Sequence, residues 1–393
     1  MNIKLSQRVQ RVKPSPTLAV DAQAKALRAA GEDIINLGAG EPDFDTPEHI
    51  KAAAVQAITD GQTKYPPVDG TASLKQAIIS KFKHDNELDY AADQILVSAG
   101  GKQSFYNLAQ ALLNEGDEVI IPAPYWVSYP DMVLLADGKP VIVSAGIEQG
   151  FKLQAEQLEA AITDKTRLLV LNSPSNPTGV SYRRAELEAL AEVLLRHPHV
   201  LIATDDMYEH ILWTDEPFCN IATVCPALYD RTIVLNGVSK AYSMTGWRIG
   251  YAAGPAPLIK AMKKVQSQST SGACSIAQAA AQAALQGEQQ CVAEMAHAFK
   301  ERHDWLLDAL NTLPGVTCLP SDGTFYAFPD MREAMAASGC DDDIAFTELL
   351  LSKAKVALVP GSAFGAPGHM RLSYATSMEM LESAISRIGE LLR

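Results

Sequence analysis

An α/β fold with a mostly parallel central sheet, joined to a smaller α+β unit, is what this chain predicts, and three observations carry the prediction. Short apolar runs recur at a strand–helix spacing between residues 94 and 253. Amphipathic stretches separate several of them, such as Arg184–Arg196, with Leu187, Leu190, Val193 and Leu194 on one side. Beyond a long helical pattern from about Glu288 to Thr312 the order of elements changes. Strands alternating with helices imply a parallel sheet covered on both faces. With 393 residues the chain has room for a large domain and a smaller one.

Taken in order, residues 1–20 are basic and broken by Pro14 and Pro16, and read as an arm. A helix is expected over Val20–Ala30, stopped by Gly31. Ile34–Leu37 reads as a short strand running into the loop Gly38-Ala39-Gly40-Glu41-Pro42-Asp43-Phe44. Helical periodicity returns at Pro47–Thr59 and Ser73–Asn86, with the rigid loop Lys64-Tyr65-Pro66-Pro67-Val68-Asp69-Gly70 between them. A strand at Gln94–Ser98 leads through Gly100-Gly101 into a helix ending near Gly116. Strands follow at 118–123, 140–144, 167–172, 199–204, 232–236 and 247–253. After the long helix, strands near 324–328, 355–359 and 369–374 mix with helices near 343–353 and 377–392. The expected division is an arm (1–15), a small domain (16–48 and 290–393) and a large domain (49–289).

Composition narrows the function. The net charge of −13 argues against a nucleic-acid binder. No apolar stretch reaches membrane-spanning length, and the N-terminus has no apolar signal core. The six cysteines are scattered without a CxxC and are expected to be reduced packing residues, so the expected compartment is the cytoplasm. No metal site is expected: His197-Pro198-His199 lacks helical spacing, and Asp341-Asp342-Asp343 is read as a helix cap.

The polar residues that carry chemistry fall just past predicted strand ends: Tyr125-Trp126, Asn172–Gly179, Asp205–Tyr208 and Lys240. In an open α/β sheet that edge is the ligand side. Gly38-Ala39-Gly40 is not a dinucleotide fingerprint, because the third glycine falls at Asp43. Ser98-Ala99-Gly100-Gly101-Lys102 is a strand, a glycine pair and a helix start, hence an anion site. It is not a Walker loop, since Leu96 and Gln103 break that pattern. Lys240 and Arg248, eight residues apart, offer one amine that can be desolvated and one fixed cation. That pair suits a carbonyl cofactor with a phosphate tail.

These stretches resemble the fold-type I pyridoxal-phosphate aminotransferases, and within them the bacterial aspartate-aminotransferase-like branch of class I. The matching segments are LGAGEPDFDTP, TKYPPVDG, SAGGKQ, PYWVSYP, NSPSNPTG, DDMY, SKAYSMTGWRIGY and RLSYATS, spanning residues 37 to 377 in the family's order. The resemblance implies a role for each matching residue. Lys240 forms the Schiff base with pyridoxal 5'-phosphate and acts as general base. Asp205 pairs with the pyridine nitrogen, unless the frame slips by one to Asp206, where the family usually has glutamate. Tyr208 and Asn176 bond the phenolic oxygen, and Trp126 stacks on the ring. The Gly101 and Lys102 amides, Ser239 and Arg248 take the phosphate. Gly237 stands where aspartate-specific relatives keep a serine. Tyr65 reaches the neighbouring subunit's phosphate, which makes the enzyme a homodimer with shared active sites.

For the substrate, the resemblance implies that Arg371 holds the α-carboxylate, helped by Gly40 and Asn176, with Trp126 alongside. Lys13 stands where the branch keeps a carboxylate-binding lysine; a solvated arm lysine is the other reading. No arginine lies in Gln266–Thr270, where enteric-type enzymes use one. The expected reaction moves an amino group between an L-amino acid, aspartate or glutamate favoured, and a 2-oxo acid. Aromatic amino acids, kynurenine or prephenate remain alternative substrates, and a lyase of the same fold the alternative chemistry. A cofactor-bound transcription regulator needs a further N-terminal DNA-binding domain, and that class is expected to be excluded.

Overall fold

The computed structural model describes residues 3–393. Its strands in chain order are β1 (Ile35–Asn36), β2 (Ile95–Ser98), β3 (Glu118–Ala123), β4 (Lys139–Ser144), β5 (Thr166–Asn172) and β6 (Leu201–Asp205). They continue as β7 (Thr232–Gly237), β8 (Gly250–Ala253), β9 (Tyr326–Ala327), β10 (Val356–Ala357), β11 (Val359–Pro360) and β12 (Met370–Ser373). Seven strands form one sheet in the order β2-β8-β7-β6-β5-β3-β4. Only β8 runs against its neighbours. The neighbours along β3 to β7 pair in parallel.

Both faces of this sheet are covered, and β5 shows how. Leu168 and Val170 pack with Phe105 and Met262 on one side. Leu169 and Leu171 pack with Leu187, Leu190 and Leu194 on the other. Alternate residues of a strand face opposite ways, so a strand buried on both faces reads as an unbroken apolar run. The helix Arg184–Arg196 therefore docks with the stripe its sequence predicts.

A second core forms around β9, β11 and β12, a three-stranded antiparallel sheet, with the β1–β10 pair beside it. The helix Gln290–Asn311 spans both cores. Its Val292 sits in the core of the large sheet, while Phe299, Leu306 and Leu310 sit in the second.

Several elements differ from the sequence expectation. The chain before residue 20 is not wholly irregular: it forms helices at Gln7–Gln10 and Pro16–Ala29. Pro16 occupies the first turn of the second, where a missing N–H costs nothing. The expected strand 247–253 begins only at Gly250, because Thr245–Trp247 forms a tight turn and Arg248 is left-handed, with φ 58°. The stretch 355–359 splits between two sheets, Val356–Ala357 pairing with β1 and Val359–Pro360 with β12. Asp342 caps the helix that follows it, accepting from the Ala345 amide. Among the described residues no helix is long and apolar enough to cross a membrane.

Candidate active site

The parallel strands place their last residues side by side. Asn172 at the end of β5 is in register with Asp205 at the end of β6, and β7 ends at Gly237, just before Ser239 and Lys240. These ends open into a cavity of about 430 Å³. The second core closes it from the other side with Tyr326 of β9, Arg371 of β12 and the Gly38–Glu41 loop. All the candidate residues except Tyr65 and Lys13 line this cavity.

Lys240 Nζ donates to the Gly40 carbonyl at 2.5 Å. Among the described residues it forms no ion pair with a carboxylate. Burial, with the Arg371 charge next, lowers its pKa to about 8. A desolvated amine near neutrality is what a general base requires.

Asp205 is held from below by the Tyr129 hydroxyl, which donates to Oδ2 at 2.5 Å, while the Met207 amide donates to Oδ1 at 3.3 Å. Burial raises its pKa, and the Tyr129 bond and Lys240 charge oppose that. Asp206 does not line the cavity. It accepts from Thr204 Oγ1 at 2.6 Å and Asn220 Nδ2 at 2.5 Å, and burial beside Glu209 pushes its pKa up to about 8. The carboxylate facing the cavity is thus Asp205.

Arg371 is 2% exposed. Its guanidinium donates to Asn176 Oδ1 at 3.0 Å and the Gly38 carbonyl at 2.7 Å, and lies 4.5 Å from the Tyr326 ring centroid. Its Nε has no partner. No carboxylate pairs with it among the described residues. A buried guanidinium without a counter-ion is a built receptor for a planar anion.

At the other end, the helix Gly101–Leu112 starts in the cavity wall, where Gly101 and Lys102 line it and a helix lacks internal acceptors for its first amides. Arg248 donates to the Thr245 carbonyl at 2.9 Å. Gly100 is required there: φ is 88°, and a Cβ would lie 2.3 Å from an Arg248 nitrogen. Lys102 lies 5.2 Å from the Trp126 ring centroid, and burial with the Arg248 charge lowers its pKa. Ser239 is buried beside Lys240. Gly237 has no room for a serine, because a Cβ would meet the Ile249 carbonyl at 2.9 Å.

Tyr65 and Lys13 stand apart from the cavity of their own chain. Tyr65 is 97% exposed. Lys13 is exposed and lies close to Asp131, whose pKa burial raises and Lys13 only partly offsets. Gln266 turns inward to bond Ser98, Asn107 and the carbonyls of Val68 and Val97. His197 pairs with Glu159 and His199 with the Thr163 carbonyl.

Sequence reasoning missed two phenols. Tyr129 lies within the PYWVSYP segment, one helical turn past Trp126, and its spacing is the signal that was there to be read. Tyr326 comes from a two-residue strand and bonds Tyr208, hydroxyl to hydroxyl at 3.0 Å. Thr17, Leu18 and Asp21 of the Pro16–Ala29 helix also reach the cavity rim.

Known proteins share this architecture. The family profile described as aminotransferase class I and II matches residues 32–388. A Nitrosomonas europaea protein named aspartate/prephenate aminotransferase is 60% identical, the match covering 99% of this chain and 100% of that one. A Geobacillus stearothermophilus aspartate aminotransferase is 53% identical, over 98% of each chain. The crystal structure of a Rhizobium meliloti aspartate aminotransferase has a TM-score of 0.95 at 47% identity, covering 100% of this chain and 99% of that one. The Thermus thermophilus aspartate aminotransferase with maleate has a TM-score of 0.93 at 44% identity, covering 99% and 100%.

Proposed function

The chain belongs to the class I and II aminotransferase family and is a transaminase acting on amino and 2-oxo acids; we propose that it uses pyridoxal 5'-phosphate and takes aspartate as amino donor, with prephenate as a second, oxo-acid substrate. The observation that carries this reading is the pairing, across one cavity, of the desolvated Lys240 amine with the buried Arg371 guanidinium, which has no carboxylate counter-ion among the described residues. Prephenate is included because relatives at 60% and 57% identity bear both substrates in their names. Both molecules carry two carboxylates, one for Arg371 and one beyond it. Lys13 is the arm residue assigned to the second. The exposed Tyr65 is assigned to a neighbouring subunit's phosphate, in a homodimer. The arm, small and large domains keep the boundaries 1–15, 16–48 with 290–393, and 49–289.

The residues present fit such a cofactor. Gly100 makes way for Arg248 beside a helix start, which suits a phosphate. Asp205, half-buried in the cavity wall and held by Tyr129, suits a protonated ring nitrogen. Tyr208 and Asn176 offer polar groups for the phenolic oxygen, and Trp126 a stacking face. When bound, the cofactor supplies an aldehyde for the amino group and a ring that accepts the electron pair left on Cα.

The chain's own residues do the rest. Arg371 and Asn176 grip the α-carboxylate and fix the direction of the Cα–H bond. Lys240 Nζ, aimed by the Gly40 carbonyl, takes the Cα proton, holds it and would deliver it to the cofactor's C4′ carbon rather than back to Cα. The rim residues Thr17 and Leu18 narrow access to water.

Mixing reconstituted protein with aspartate, glutamate, prephenate or phenylalanine and following the visible absorbance tests this reading. Aspartate and prephenate are expected to react fastest in their respective half reactions. Turnover of phenylalanine alone would overturn the substrate assignment, and turnover without an oxo-acid acceptor would point to a lyase.

A further inference from the structure

Tyr326 is 1% exposed and has no role in the assignments above. Its ring supports the Arg371 guanidinium at 4.5 Å, and its hydroxyl meets the Tyr208 hydroxyl at 3.0 Å. The two strands concerned are paired, with Ser373 opposite Tyr326, so Arg371 sits on the same face one pleat away. The Tyr326 hydroxyl also faces the Gly40 backbone: a Cβ there would lie 3.1 Å from it and 3.9 Å from an Arg371 nitrogen.

Of two bonded phenols, one donates and the other accepts. Arg371 lies against the face of the Tyr326 ring and gives its hydrogens to Asn176 and the Gly38 carbonyl, so the hydroxyl pair is left to set its own direction, and a ligand that accepts from Tyr208 makes Tyr326 the donor. Tyr208 then accepts from Tyr326 and is free to give its own hydrogen to a ligand in the cavity. Tyr208 is faced also by Tyr129 and Asp205, by Lys240 at 5.9 Å from its ring, and by Arg371; Tyr326 is faced by Arg371 and Glu41.

We propose that Tyr326 is a positioning residue that orients the Tyr208 hydroxyl toward the cofactor's phenolic oxygen and links that bond to the carboxylate grip of Arg371. This rests on the role given to Tyr208 above. A relay of this kind strengthens each bond in the chain and stabilises negative charge at its end.

The test is a pH titration of the visible absorbance of reconstituted holoenzyme. Tyr326→Phe keeps the ring under Arg371 and removes only the hydroxyl. Its absorbance midpoint is expected to rise by roughly half to one pH unit, the worth of one hydrogen bond. In a Tyr208→Phe background the same change is expected to move the midpoint by less than about 0.2 unit, because the two groups act as one. Tyr326→Met serves as a second variant with the same expected shift. An unmoved midpoint, or an equal shift in both backgrounds, overturns the proposal. Absence of any visible band in the unsubstituted protein would instead overturn the cofactor reading itself.

Discussion

Two lysines flank the turn that follows β6, Lys81 buried against Glu209 and Lys240 half-buried in the cavity wall beside Tyr208, and only the second is poised to react. Lys81, on the helix Ala72–Asn86, pairs with Glu209, their side chains 4% and 3% exposed. Glu209 also accepts from Asn86 and Asn236 at 2.6 Å each. Burial alone would raise the Glu209 pKa, but the Lys81 charge and these bonds bring it down to about 2. Lys240 has a carbonyl where Lys81 has a carboxylate, and cations where Lys81 has amides. A fully compensated charge is an inert strut that fixes the Asp205–Glu209 turn; an under-compensated one is a base.

The contrast is broken most directly by exchanging the effects. Lys240→Ala is expected to lower kcat by at least about 10³-fold, since the proton then has no positioned acceptor. Urea unfolding of the same variant should show no loss of stability. A variant transaminating at the parental rate would remove Lys240 from the mechanism.

Glu209→Leu is expected to do the reverse. It strands the Lys81 ammonium and should cost about 3–5 kcal/mol in urea unfolding. Lys81→Met combined with Glu209→Leu should recover most of that loss, because the unpaired charge is gone. If the double variant is as unstable as the single, the pair is not the strut described here.

Arg371→Lys sharpens the substrate side. A lysine keeps the charge but loses the planar pair of donors, so KM for aspartate should rise by roughly 10- to 100-fold. An unchanged KM would show that the α-carboxylate binds elsewhere.

The smallest effect is a pH slope. Lys240 has a folded pKa of about 8 against an ordinary 10.5. Between those values the unfolded chain holds a proton that the folded one has shed. The unfolding free energy of cofactor-free protein should therefore rise with pH across that window. Lys240→Met should remove this contribution, as read from urea midpoints at pH 8, 9 and 10.

Much of this was legible along the chain. The buried strands of the large sheet announce themselves as apolar runs because both their faces are covered, and Asn176, Asp205, Tyr208 and Lys240 follow those runs directly. The N-terminal segment was harder: Pro16 looks like a breaker unless the helix is known to start on it. The start of β8 was misread because one left-handed residue, Arg248, interrupts an apolar stretch whose composition gives no sign of it.

Sequence alone determined which residues stand at the strand ends, because hydrophobic period and local turn chemistry act over a few neighbours. Only the tertiary structure decided which of two adjacent aspartates faces the cavity, and that a tyrosine far along the chain completes it. Both outcomes depend on desolvation and on bonds between groups 118 residues apart, such as Tyr208 and Tyr326. No local pattern encodes the direction in which such side chains finally point.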